Sequence, residues 1–67
     1  MDWIELEACQ KRAGISNIEI ADKLKISPAS YYRKKHGITD FYREEIQQLA
    51  LLLGLNSHEV ERIFFTN

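Results

Sequence analysis

The sequence has few of the residues that cross-link a chain or anchor it to a membrane. Its one cysteine, Cys9, excludes an internal disulfide and a metal cluster of several thiolates. That scarcity is typical of a reducing environment, so we expect a cytoplasmic protein. No apolar run approaches the ~20 residues that a bilayer-spanning helix needs. The acidic start, MDWIE, does not resemble a basic signal peptide, so no export is expected.

Residues for catalysis are also missing. No Ser/His/Asp or Cys/His set is evident, and His36 and His58 have no carboxylate or thiol at a matching spacing for a metal. We therefore expect no enzyme, no cofactor, no metal and no small-molecule ligand. The length of 67 residues allows one small domain, spanning 1–67.

With one proline and few β-branched alternations, helix signals dominate, and we predict an all-α fold of five short helices. The first covers 2–13 and ends at Gly14. A capping box, Ser16 to Glu19, opens a second that ends near Leu24. The others run from Pro28 to before Gly37, over roughly 43–53, and from a second capping box at 56–59. Cys9 and Tyr31 are expected in the core, and Trp3 is expected to anchor neighbouring helices.

The charge is unevenly distributed. The formal net charge is −1, which as an average speaks against a nucleic-acid binder. Residues 23–43, however, hold six Lys or Arg against one Asp. Residues 1–22 hold five acids against two bases, and residues 44–67 hold four against one. A basic block thus lies between two acidic flanks.

Within that block, residues 16–37 combine a capped helix, a tight connection at Lys25 and Ile26, and a helix capped by Ser27. This order is typical of a helix-turn-helix, whose second helix enters the DNA major groove. Its outward face would carry Pro28, Ala29, Tyr32 and Arg33, with Lys35 or His36 as a further member.

The stretch GISNIEIADKLKIS at 14–27 resembles the signature of the lambda-repressor-like helix-turn-helix family, the Cro/repressor or xenobiotic-response-element type. SYYRKKHG at 30–37, Asp40-Phe41, Glu45-Ile46 and the closing Ile63-Phe64-Phe65 resemble, more narrowly, the small Cro-like regulators of phages and prophages of Gram-positive bacteria. The resemblance covers nearly the whole chain. It implies a compact five-helix DNA-binding domain and a repressor, associated with the bacterial nucleoid, that blocks a promoter by occupying operator sites.

The resemblance also implies roles for individual residues. Base edges would be read from Pro28, Ala29, Tyr32 and Arg33. Phosphates would be contacted by Ser16, Asn17, Lys25, Ser27, Lys35, His36, Thr39 and Arg43. Two residues that depart from the family's pattern matter for structure. Lys25 stands where the family often has glycine, so we expect a positive φ there. Lys34 stands where many relatives have an apolar residue.

The end of the chain suggests a partner surface. Three consecutive large apolar residues, Ile63, Phe64 and Phe65, cannot all face one small core. Since paired half-sites are the usual mode of operator binding, we predict a homodimer through these residues, formed in solution or only on DNA. The alternative is a protein-interaction module of the same fold, an antirepressor or antitoxin-type partner, acting through the same helix.

Overall fold

The computed structural model describes residues 1–65, which form five α-helices and no β-strand. The helices are α1 (Trp3–Ala13), α2 (Asn17–Leu24), α3 (Pro28–Lys35), α4 (Arg43–Leu53) and α5 (Ser57–Phe64). The predicted all-α class and all five helices are confirmed, and the boundaries agree to within about two residues. Among the described residues, none of the helices combines the length and apolarity that crossing a membrane requires.

Side-chain caps explain where the helices begin. Both predicted capping boxes form: Ser16 accepts from the Glu19 N–H, and Asn56 accepts from the Glu59 N–H. Asp2 caps α1 in the same way, through the Glu5 N–H. The end of α2 confirms the expectation for Lys25, which has φ 59° and ψ 41° in the left-handed region.

Every helix contributes to one core. Its buried apolar residues are Leu6, Cys9, Ile20, Ala21, Leu24, Tyr31, Leu49, Leu53 and Ile63. The core positions predicted for Cys9 and Tyr31 are therefore confirmed. Phe41 and Phe64 border this core and meet edge to face, with ring centroids 5.4 Å apart.

The first and last helices are joined near the chain ends. The Asp2 N–H donates to the Ile63 carbonyl at 2.8 Å, and Arg62 donates to the Glu5 carboxylate at 2.8 Å. Trp3, expected to pack against neighbouring helices, contacts the His36 ring at the end of α3, although 41% of its surface is exposed. Trp3 is the first residue of α1.

Candidate nucleic-acid interface

Helices α2 and α3 pack against each other across a connection of three residues, 25–27. The left-handed Lys25 lets the Ile26 N–H donate back to the Ala21 carbonyl at 3.0 Å, which turns the chain sharply. Ser27 then caps α3, accepting from the Ser30 N–H at 3.1 Å, and Pro28 fills the first helical position. The turn and the cap together set the angle at which α3 leaves α2.

One side of α3 faces solvent. Pro28, Ala29, Tyr32 and Arg33 are exposed, and we call these four residues the outer face of α3. Tyr32 is 55% exposed. Residues 1–65 offer Arg33 no ion pair, so its guanidinium is available to a ligand. All four residues predicted to read bases thus lie on one accessible surface.

Three aromatic rings in tilted contact continue from the outer face. The His36 ring lies 4.3 Å from the Tyr32 ring and 4.6 Å from the Trp3 ring, measured between centroids. His36 is partly exposed, so part of its ring is accessible for the predicted contact with phosphate.

Two lysines of the basic block point inward. The Lys34 ammonium lies 3.1 Å from the Glu45 carboxylate, donates to the Asp40 carbonyl at 2.9 Å and sits over the Tyr42 ring. Lys34 therefore occupies a buried position, as an apolar residue would, while its charge is neutralised by Glu45. It joins α3 to the start of α4.

Lys35 is more deeply buried, at 2% exposure. Its ammonium donates to both Glu7 carboxylate oxygens at 2.7 and 2.8 Å, to Gln10 Oε1 at 3.2 Å and to Asn17 Oδ1 at 3.1 Å. Tyr31 completes the group by donating its hydroxyl to Gln10 Oε1 at 3.0 Å. We call Glu7, Gln10, Asn17, Tyr31 and Lys35 the Lys35 cluster.

This cluster corrects one prediction. Lys35 was expected to contact phosphate, but its three N–H donors are all engaged inside the protein. The hydrogen bond from Lys35 also holds the pKa of the Glu7 carboxyl below its usual value. The ammonium ties α3 to α1 and α2 and cannot reach DNA from this position.

The other predicted phosphate contacts remain accessible. Ser16, Asn17, Lys25, Ser27, Thr39 and Arg43 are all exposed. The Ser16 and Ser27 hydroxyls already act as helix caps, so further contacts there would come in addition to capping. Asn17 is the member of this set that belongs to the Lys35 cluster.

Of the three residues predicted to form a dimer interface, only Phe65 is largely exposed. Ile63 is fully buried, so its assignment to a dimer interface is wrong, and Phe64 is half-buried beside Phe41. Consecutive residues of a helix point about 100° apart, which sends Ile63 inward and Phe65 outward. Phe65 is 66% exposed and lines two surface grooves with Phe41 and Ile46.

A second group of ionisable residues lies between α1 and α5. The Cys9 thiol lies 3.9 Å from Glu5 Oε1 and 4.0 Å from Glu59 Oε2, and the three possible ligand atoms are within 4.8 Å of one another. Each carboxylate is already paired with an arginine: Glu59 with Arg12 at 3.2 Å, and Glu5 with Arg62. Burial raises the pKa of the Cys9 thiol, so its neutral form predominates. The contacts of Cys9, Glu5 and Glu59 join α1 to α5.

Sequence patterns missed Glu7 and Gln10 as members of the cluster that holds α3. The spacing does carry a signal for Gln10, because it follows the buried Leu6 by four residues and so lies on the same side of α1.

No protein-family model, curated protein or solved structure matches this chain.

Proposed function

We propose that this protein is a sequence-specific regulator that binds double-stranded DNA. It would act as a Cro-like repressor, occupying an operator that overlaps a promoter and so excluding polymerase. The observation that carries the proposal is the outer face of α3, which presents Tyr32 and Arg33 beyond a helix, a three-residue turn and a capped second helix. That sequence of elements suits a helix-turn-helix, in which the second helix lies in the major groove.

The chemistry of the outer face fits base readout. An arginine can donate two hydrogen bonds to O6 and N7 of guanine, the commonest specific contact in the major groove. Arg33 has no competing carboxylate among residues 1–65. Tyr32 adds a flat apolar ring with a hydroxyl tip, which suits a thymine methyl or a phosphate. Pro28 and Ala29 offer apolar contact and close approach.

The distribution of charge in the basic block also suits binding to DNA. Lys34 and Lys35 are neutralised inside the protein, which leaves Lys23, Lys25, Arg33 and Arg43 of the basic block exposed to solvent. Four cations in the turn and on the flanking helices supply attraction to phosphate. Their modest number predicts weak binding to non-specific DNA.

Selection of duplexes from a random pool tests the proposal directly. The parent should enrich a defined sequence, and Arg33→Ala should weaken binding to it by about 1–3 kcal/mol and relax the preference at one base pair. Arg12→Ala is the matched control, since Arg12 is also an exposed arginine but pairs with Glu59 between α1 and α5. Unchanged preference in Arg33→Ala, or equal losses in both variants, would reject the outer face as the reading surface.

Salt dependence separates phosphate contacts from base contacts. Arg43→Ala should weaken all duplexes alike and reduce the slope of log K against log salt by about one. A slope identical to that of the parent would remove Arg43 from the interface.

We further propose that the protein forms a homodimer through Phe65. Its exposed ring beside two grooves gives each subunit both a projecting aromatic and a recess. Phe65→Asp should abolish dimers in sedimentation and weaken operator binding. The same exposed ring favours a second candidate function, a protein-interaction module. That alternative holds if the parent binds no duplex while Phe65→Asp loses a protein partner.

A further inference from the structure

We propose that Lys35 and Gln10 are positioning residues: they orient the Asn17 carboxamide so that its NH2 group donates to a DNA phosphate. The inference rests on the proposed function and concerns how one contact of that surface is built. It also gives a role to a buried lysine that cannot itself reach DNA.

The orientation of Asn17 follows from its neighbours. An ammonium can only donate, so the Asn17 atom 3.1 Å from Lys35 Nζ must be the oxygen. The same argument applies to Gln10: its oxygen faces Lys35 and the Tyr31 hydroxyl, so its NH2 group faces Asn17 and donates to Oδ1 at 2.8 Å. Two donors thus hold one oxygen.

The other end of the same amide is unused. Because Oδ1 and Nδ2 are bonded to the same planar carbon, the two donors that hold the oxygen also fix the direction of the NH2 group. Asn17 is exposed, and its Nδ2 forms no hydrogen bond within residues 1–65. A donor with a defined direction and no internal acceptor suits a phosphate oxygen, and the positive charge of Lys35 on Oδ1 polarises the amide in the favourable sense.

The arrangement also sets the position of this donor relative to the outer face of α3. Asn17 is the first residue of α2, whereas Lys35 is the last residue of α3. Their hydrogen bond holds the start of one helix to the end of the other. A phosphate held by Asn17 would therefore fix the register in which Arg33 meets the bases.

Asn17→Asp is the most direct test. Aspartate keeps an oxygen for Lys35 and Gln10 but replaces the outward donor with a negative oxygen. The variant should unfold at the same urea concentration as the parent, or a higher one. Its affinity for the duplex selected by the parent should fall more than tenfold, whereas Asn17→Ala should cost about tenfold. An Asn17→Asp protein that binds like the parent would overturn the inference.

A double-mutant cycle tests whether Lys35 acts through Asn17. Lys35→Met should weaken binding severalfold in the parent and by a clearly smaller factor in the Asn17→Ala background, where only its contacts with Glu7 and Gln10 are lost. Lys34→Met is the matched control, because Lys34 is a buried lysine of the same helix that pairs with Glu45 instead. Any loss from Lys34→Met should be equal in both backgrounds. Losses from Asn17→Ala and Lys35→Met that simply multiply would also overturn the inference.

The outcomes distinguish this inference from the function on which it rests. If the parent enriches no duplex, the proposed function and the positioning role both fail. If the parent binds and Arg33→Ala loses its preference while Asn17→Asp binds normally, only the positioning role fails.

Discussion

Replacing Tyr31 by phenylalanine deletes one oxygen from the Lys35 cluster and leaves the packing of the ring intact. The hydroxyl donates to Gln10 Oε1 at 3.0 Å inside the core, where Tyr31 is fully buried. A hydrogen bond of this kind contributes about 1 kcal/mol net. Gln10 Oε1 still accepts from Lys35 at 3.2 Å, so no buried acceptor is left unpaired and the cost should stay near that value.

For a domain of this size, 1 kcal/mol lowers the melting temperature by about 4–8 °C. Thermal unfolding followed by circular dichroism at 222 nm measures the shift, with urea midpoints as an independent check. The neighbouring Tyr32→Phe is the matched control, because Tyr32 is exposed and its change should stay within about 0.5 kcal/mol. Equal melting temperatures for Tyr31→Phe and the parent would refute the view that this hydroxyl helps to hold α3 against α1.

Three further variants or conditions probe other features. Lys25→Gly should raise the free energy of unfolding by about 1 kcal/mol in urea titrations, because glycine adopts φ 59° without strain. The lowered pKa of Glu7 means that the folded chain holds this proton less tightly than the unfolded chain. Its stabilisation is complete above the ordinary value of 4.5 and is lost as pH falls, so Glu7→Gln should lose less stability than the parent between pH 6 and pH 3. The Cys9 thiol is buried and its pKa is raised, so a thiol reagent at pH 7 should react at least about tenfold more slowly with the folded protein than with the chain in urea.

Local chemistry made the helices predictable. The caps at Ser16, Ser27 and Asn56 act within three residues of themselves, and the departure from glycine at Lys25 is a property of one backbone position. Helical spacing likewise places Tyr32 and Arg33 on the outward side of α3. The base-reading roles of these two residues stay predictions.

The burial of Lys34 and Lys35 could not be predicted from local sequence in the same way. Helical spacing puts Lys34 and Lys35 on the same side of α3 as the buried Tyr31, but a buried charge needs a partner, and the partner of Lys35, Glu7, is 28 residues away in sequence. The basic run therefore resembled a continuous DNA-facing surface, although two of its members hold the helix in place. At the end of the chain, treating residues 63–65 as one apolar surface ignored the rotation between successive helical residues, which buries Ile63 and exposes Phe65.

The hydrogen bond between the Asp2 N–H and the Ile63 carbonyl has a consequence for biosynthesis. Within residues 1–65, α1 is synthesised before α5, which forms part of the surface on which α1 docks. Because α1 also supplies Glu7 and Gln10 to the Lys35 cluster, Lys35 can hold α3 in place only after α1 has docked. A chain without α5 would thus also lose part of the support that holds the outer face of α3 in position.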